Sequence, residues 1–179
     1  MRVDVSTGLL VGVKQVLSPF FDERPAGVAP DLIVLHGISL PPGEFGGPWI
    51  ARLFTGNLPP DAHPEFRERA GLRVSAHVLI RRDGELVQFV PFGARAWHAG
   101  RSSWQGRDAC NDYSIGIECE GTDEVPYEDA QYAALRALLP RLLEAYPKIT
   151  PERIVGHSNV APGRKTDPGD SFDWTRVRA

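Results

Sequence analysis

Residues 32–35 read LIVL and lead directly into His36. Four consecutive apolar residues with no polar alternation describe a strand covered on both faces. Such a strand needs helices or loops packed above and below it. A chain built around it is expected to be a layered α/β structure. A histidine at the end of this strand then sits at one edge of a sheet, where α/β folds gather their functional groups.

The remaining segments fit that frame. After Ile38 comes SLPPGEFGGPW, whose prolines and glycines make it a loop. Trp49 to Phe54 suggests a short helix ended by Gly56. Residues 57–72 read mostly as loop, with a helical turn or two at Pro64 to Ala70. Residues 74–90, VSAHVLIRRDGELVQFV, predict a hairpin with a tight Asp83-Gly84 turn between two β-rich runs. Residues 91–113 carry little periodicity and read as a long loop, the kind that usually has a function. In SIGIECE, 114–120, Ile115, Ile117 and Cys119 face one way, and Ser114, Gly116, Glu118 and Glu120 the other. Residues 127–146 predict a helix with a stripe of Leu135, Leu138, Leu139, Leu142 and Tyr146, kinked at Pro140. IVGHS, 154–158, predicts a last short strand that again ends near a histidine. The expected fold is a mixed α/β single domain over 1–179, with a central mixed sheet of about five strands flanked by helices.

Composition narrows the function. The chain has 20 basic and 23 acidic residues among 179, a net charge of −3, which supplies no general basic face for nucleic acid. No apolar stretch approaches the 18 or more residues of a membrane span. The apolar run Gly8 to Val13 is short, follows Asp4, and lacks a small-residue cleavage site, so it reads as structure and not as a signal peptide. Two cysteines, Cys110 and Cys119, are too few for a disulfide framework. The expectation is a cytoplasmic protein, acting as a monomer, with no nucleic-acid or membrane partner.

Several residues could carry chemistry. His36 and His157 each end an apolar strand, and Asp167 follows His157 by ten residues in GHSNVAPGRKTDPG. Two imidazoles and one carboxylate leave the fourth position of a tetrahedral zinc ion open, the catalytic rather than the structural pattern. The spacing matches no short metal signature, and His36 as a core histidine with Asp167 as a turn residue is the competing reading. Glu118 or Glu120, on the polar face of their strand, could be a general base, because burial raises a carboxyl pKa; a cross-strand ion pair is the alternative, and the pattern does not separate the two. Lys165 could stabilise an oxyanion or simply be solvated beside Arg164. Arg73 could hold a substrate carboxylate, and Trp97 and His98 could wall a cleft. His77 reads as core or as support for the site, and Cys119 as inert core.

The motifs LIVLHGISLPPGEFGGPWI, LFTG, LRVSAHVLIRRDGELVQFVPF, RAWHAG, CNDYSIGIECEGTD and GHSNVAPGRKTDPG run in order from about residue 9 to residue 177. Together they resemble the zinc-dependent N-acetylmuramoyl-L-alanine amidases that share the peptidoglycan-recognition-protein fold, and within them the cytoplasmic enzymes acting on 1,6-anhydro-muropeptides. The resemblance implies zinc on His36, His157 and Asp167, Glu118 as acid and base, and Lys165 as the catalytic lysine. It thereby favours Glu118 over Glu120. It implies cleavage of the amide between N-acetylmuramic acid and L-alanine, in peptidoglycan recycling, an activity that in the family restrains the signal inducing β-lactamase. Arg73, Trp97 and His98 become candidates for binding the anhydro-muropeptide substrate. Two departures from the family pattern bear on the grip of the stem peptide. Gly37 stands where relatives tend to carry a polar residue, and Ala109 where a basic one is expected. A recognition module without catalysis, or a zinc peptidase acting within the stem peptide, are the alternative functions.

Overall fold

The computed structural model describes residues 1–177. Its centre is a six-stranded mixed sheet in the order Ile154–Gly156, Leu32–Ile38, Ser114–Glu120, Val78–Ile80, Leu86–Gln88, Lys14–Gln15. The first four strands are parallel, and Leu86–Gln88 returns antiparallel to Val78–Ile80. The sixth strand exceeds the sequence expectation of about five. Lys14 and Gln15 are both exposed and carry no apolar signal, and they join the sheet by backbone pairing with Val87 and Gln88.

Leu32 to His36 is buried throughout, and so is the whole of Ser114–Glu120. One face of the sheet carries Ile33, Leu35, Ile115, Ile117 and Cys119 against the helix Asp129–Ala145. That helix supplies Leu135, Leu138, Leu139 and Leu142 at helical spacing, and at its start the Glu128 amide donates to Gln131 Oε1 at 3.0 Å. Pro140 lies inside it. Burying each such leucine contributes roughly 1.5–3 kcal/mol. On the other face two clusters leave a trough between them. One holds Leu32, Val34, Ala99, Tyr113 and Val155; the other holds Leu79, Phe89 and the helix Trp49–Phe54.

Local details depart from the sequence expectations. The hairpin strands are shorter than 74–90. They are joined by the three residues Arg82, Asp83 and Gly84, closed by the Arg81 amide on the Glu85 carbonyl, with Gly84 at φ 85°. A left-handed residue in the third loop position favours glycine, so the Asp-Gly signal marks a wider turn than the two-residue one. The last strand stops at Gly156, and His157 opens a short helix, His157–Val160. Residues 91–113 contain two small pairings, Arg95–Ala96 with Phe21–Asp22 and Ser103–Trp104 with Arg107–Asp108.

That loop is held from below by Arg24. Its buried guanidinium donates to the carbonyls of Asn111, Asp112, Phe92 and Ser114 at 2.9–3.1 Å. Burial lowers its pKa to about 10. Among the described residues no helix is long and apolar enough to cross a membrane.

Candidate active site

Strand register assembles the site. In the parallel pairing Glu118 lies opposite His36, and Gly156, just before His157, lies opposite Leu35. Residues at the same level of adjacent parallel strands point to the same face, so the two histidines and Glu118 meet in the trough, toward the C-terminal ends of three neighbouring strands. The loop after the short helix returns Asp167, and its carbonyl accepts the Ser158 amide at 3.0 Å.

His36 Nδ1 lies 2.9 Å from His157 Nδ1, His157 Nδ1 lies 3.1 Å from Asp167 Oδ2, and His36 Nδ1 lies 3.3 Å from the same oxygen. Ligand atoms around a tetrahedral ion with bonds near 2.0–2.1 Å stand about 3.3 Å apart, so the triangle has the size of a metal's ligand face. Its chemistry also fits. The Nε2 of His157 lies 3.2 Å from the Ala99 carbonyl, which can only accept. In the neutral ring Nδ1 therefore keeps its lone pair and aims it at a carboxylate. Lone pairs converging from three side chains, two of them buried, can hold a metal ion.

The electrostatics agree. Burial pushes His36 down to about 4, against the opposing pull of Asp167, so the ring is neutral at ordinary pH. Burial works against ionised Asp167, and the two imidazoles beside it pull its carboxyl the other way, below the ordinary value. Glu118 is the converse. Burial and the negative charge of Asp167 raise it well above its ordinary value, and Lys165 offsets this in part. Its Oε2 is buried and has no hydrogen-bond partner among the described residues. Glu120, two residues on, accepts from the Gly46 and Arg82 amides at 2.7 and 3.2 Å. The two carboxylates that the sequence pattern left equivalent thus differ: one ties loops together, and the other is free in the trough.

A cavity of about 230 Å³ opens over these groups, lined among others by His36, Trp97, Glu118, His157, Lys165 and Asp167. Lys165 also lines a neighbouring groove of about 860 Å³ with Asp123, Glu124 and Asp170. Trp97 stacks on Phe20 and donates its indole N–H to Asp22 at 3.1 Å. Arg73 is exposed and lies over the Trp97 ring at 5.3 Å, beside the cavity rather than lining it. His98 lines the cavity, but its ring nitrogens face inward, Nδ1 to His36 Nε2 at 2.9 Å and Nε2 to Ser114 Oγ at 3.2 Å. Metal-bound histidines generally hand their outer nitrogen to a partner, and the sequence does not say which residues serve. RAWHAG supplies both, through His98 for His36 and the Ala99 carbonyl for His157. His77 accepts the Gly116 amide on Nδ1 at 3.0 Å, and burial pushes it down to about 3.

Of the two positions singled out in the sequence, Gly37 has a local steric reason and Ala109 has none. A Cβ on Gly37 would stand 2.3 Å from the Tyr127 hydroxyl, which donates to the Pro168 carbonyl beside Asp167. Gly37 makes room for that contact and also lines the cavity. Ala109 is exposed, adopts φ 58°, and does not line the cavity.

Comparison with known proteins shows the family. The sequence pattern of the N-acetylmuramoyl-L-alanine amidase family matches residues 26–170. The chain is 62% identical over 172 residues to the 1,6-anhydro-N-acetylmuramyl-L-alanine amidase AmpD of Salmonella typhimurium strain SL1344, covering 96% of this chain and 91% of that one. A crystal structure of a selenomethionine AmpD derivative superposes with a TM-score of 0.96 at 60% identity, covering 99% and 98% of the two chains. The Escherichia coli amidase AmiD, solved with anhydro-N-acetylmuramic acid-L-Ala-D-γ-Glu-L-Lys, superposes at 0.60 with 26% identity, over 89% of this chain and 65% of that one. The chain belongs to the N-acetylmuramoyl-L-alanine amidase family.

Proposed function

We propose that this amidase hydrolyses the bond between the lactyl group of N-acetylmuramic acid and L-alanine in 1,6-anhydro-muropeptides, with zinc on His36, His157 and Asp167. The observation that carries the reading is the triangle of ligand atoms set beside a buried, unpartnered Glu118 oxygen. Zinc bound there supplies Lewis acidity for a water and for the scissile carbonyl. The chain's own groups do the rest. Glu118 Oε2 accepts the proton of the attacking water, in a pocket that already favours its protonated form. It then passes that proton to the departing amine of alanine. Lys165, at the rim, sets its ammonium where negative charge grows on the carbonyl oxygen. Arg73, braced on Trp97, offers a planar cation for a stem-peptide carboxylate. The wider groove past Lys165 has room for more of the substrate. The close identity to AmpD supports a cytoplasmic role in peptidoglycan recycling. The site is complete within one chain, and the protein acts as a monomer.

The test is mass spectrometry of anhydro-muramyl tripeptide incubated with the protein as purified, after chelation, and after zinc is restored. Release of intact tripeptide, lost and regained with the metal, is the expected result. Loss of a terminal amino acid alone would transfer the site to a peptidase, and binding without cleavage would make the protein a recognition module.

A further inference from the structure

A neutral imidazole carries one N–H and one lone pair, and a metal ligand must present the lone pair. For His157 the backbone settles the choice, because Nε2 faces the Ala99 carbonyl. His36 is different. Its Nε2 faces another imidazole, Nδ1 of His98, at 2.9 Å. Two imidazoles can share that hydrogen bond either way round. In the wrong arrangement His98 donates and His36 carries its proton on Nδ1. Nothing local opposes that arrangement, since His157 Nδ1 and Asp167 Oδ2 at 2.9 and 3.3 Å would both accept the proton.

We propose that Ser114 and His98 are positioning residues that fix this proton order and so keep the His36 Nδ1 lone pair free for the metal. The proposal rests on the metal reading above. A serine hydroxyl has a single proton. Ser114 Oγ lies 2.6 Å from the Cys110 carbonyl, which can only accept, and 3.2 Å from His98 Nε2. The shorter contact takes the hydroxyl proton, so Oγ accepts from His98 Nε2–H. His98 Nδ1 is then a lone pair, and His36 Nε2–H donates to it. The direction of every proton runs outward from the metal site to one backbone carbonyl.

The strand beneath is shaped for this relay. Ser114, Gly116 and Glu118 alternate on the face that carries the site. A Cβ on Gly116 would stand 2.4 Å from His98 Cγ and 2.6 Å from its Nδ1, so only glycine lets the ring lie flat enough to reach both partners. The backbone of the ring is held as well, for Asn111 Oδ1 accepts the His98 and Ala99 amides at 3.2 and 2.8 Å. The strand thus presents an anchor, a seat and a base at successive inward positions.

The test compares the unaltered protein with Ser114→Ala and Ser114→Thr, by zinc competition against a chelator and by nitrogen-15 NMR of the imidazoles. In the zinc-loaded unaltered protein, His98 should carry its proton on Nε2 and none on Nδ1. Ser114→Ala should weaken zinc binding about 10- to 100-fold and redistribute the His98 proton, and Ser114→Thr should restore both. A folded Ser114→Ala protein with unchanged zinc affinity would overturn the relay. So would weakened binding with an unchanged His98 spectrum, which would make Ser114 a packing residue. If the alanine variant does not fold, the spectrum of the unaltered protein decides, and a proton on His98 Nδ1 refutes the outward proton order. If the unaltered protein binds no zinc, the metal reading fails and takes the relay with it.

Discussion

His36 Nδ1 and His157 Nδ1 point at each other across 2.9 Å, with Asp167 Oδ2 completing the triangle. Without a cation these are converging lone pairs, so the folded protein and the ion stabilise each other. At zinc about 100-fold above its dissociation constant, binding should add about 2.7 kcal/mol, or roughly 5–10 °C in Tm for a chain of this size. Calorimetry with and without chelator measures it. Asp167→Ala should abolish the difference, and an Asp167→Ala protein that still gains stability from zinc would place the metal elsewhere.

Glu118→Gln keeps the shape of the side chain and removes its ability to take a proton. It should retain zinc and lose turnover by about 100- to 10,000-fold. Glu120→Gln should do the reverse. It weakens two hydrogen bonds from backbone amides, costing about 1–3 kcal/mol, and leaves kcat nearly intact. Steady-state kinetics with metal analysis separates the two, and near-normal rates for Glu118→Gln would remove it as the base.

Lys165→Met should lower kcat by about 100- to 1,000-fold with little change in zinc content, as expected for losing one oxyanion contact. A change confined to KM would assign Lys165 to substrate binding instead.

The metal-free protein should lose stability as pH falls from about 6.5 toward 4. His36, His77 and His98 all have depressed folded pKa values, caused first by burial. Below the unfolded value near 6.5 the unfolded chain takes protons that the folded one refuses, at about 1.4 kcal/mol per pH unit for each. Glu118, with its raised pKa, acts in the opposite sense: it costs the folded state stability above its unfolded pKa, a penalty relieved as pH falls. One carboxyl does not offset three imidazoles. Denaturant titrations across this range should therefore show a steep fall, and a flat profile would mean that the rings are not buried neutral.

Gly37→Ala places a methyl against the Tyr127 hydroxyl and should cost about 1–3 kcal/mol. Adding Tyr127→Phe removes the oxygen it meets. The pair should recover most of the loss, a non-additivity readable in a double-mutant cycle. Additive losses would show that the two positions do not press on each other.

The strands that form the site were legible because their burial is written into their order of residues. LIVLH and SIGIECE could hardly be anything else. What the sequence could not convey was register. That His157 stands level with His36, and that Glu118 faces the trough while Glu120 is tied to Gly46 and Arg82, depends on contacts between residues 38 to 121 positions apart. The two-residue strand Lys14–Gln15 was invisible because backbone pairing leaves no apolar mark. His98 was legible as a site residue but not in its partner, because the loop that carries it has no period from which a direction could be taken.

Arg24 has a consequence for how the smallest working unit of this protein should be cut. The family pattern begins at residue 26, and a fragment started there would look complete on a diagram. It would lack the guanidinium that satisfies the carbonyls of Phe92, Asn111, Asp112 and Ser114, and also Leu10, whose amide donates to Gln88 Oε1 at 2.7 Å from a fully buried position. The loop bearing His98 would be left with buried acceptors and nothing to fill them. Truncations, fusions and circular permutations of this amidase should therefore keep the N-terminal segment, since the family-matched core stands on a keystone that lies outside its own boundary.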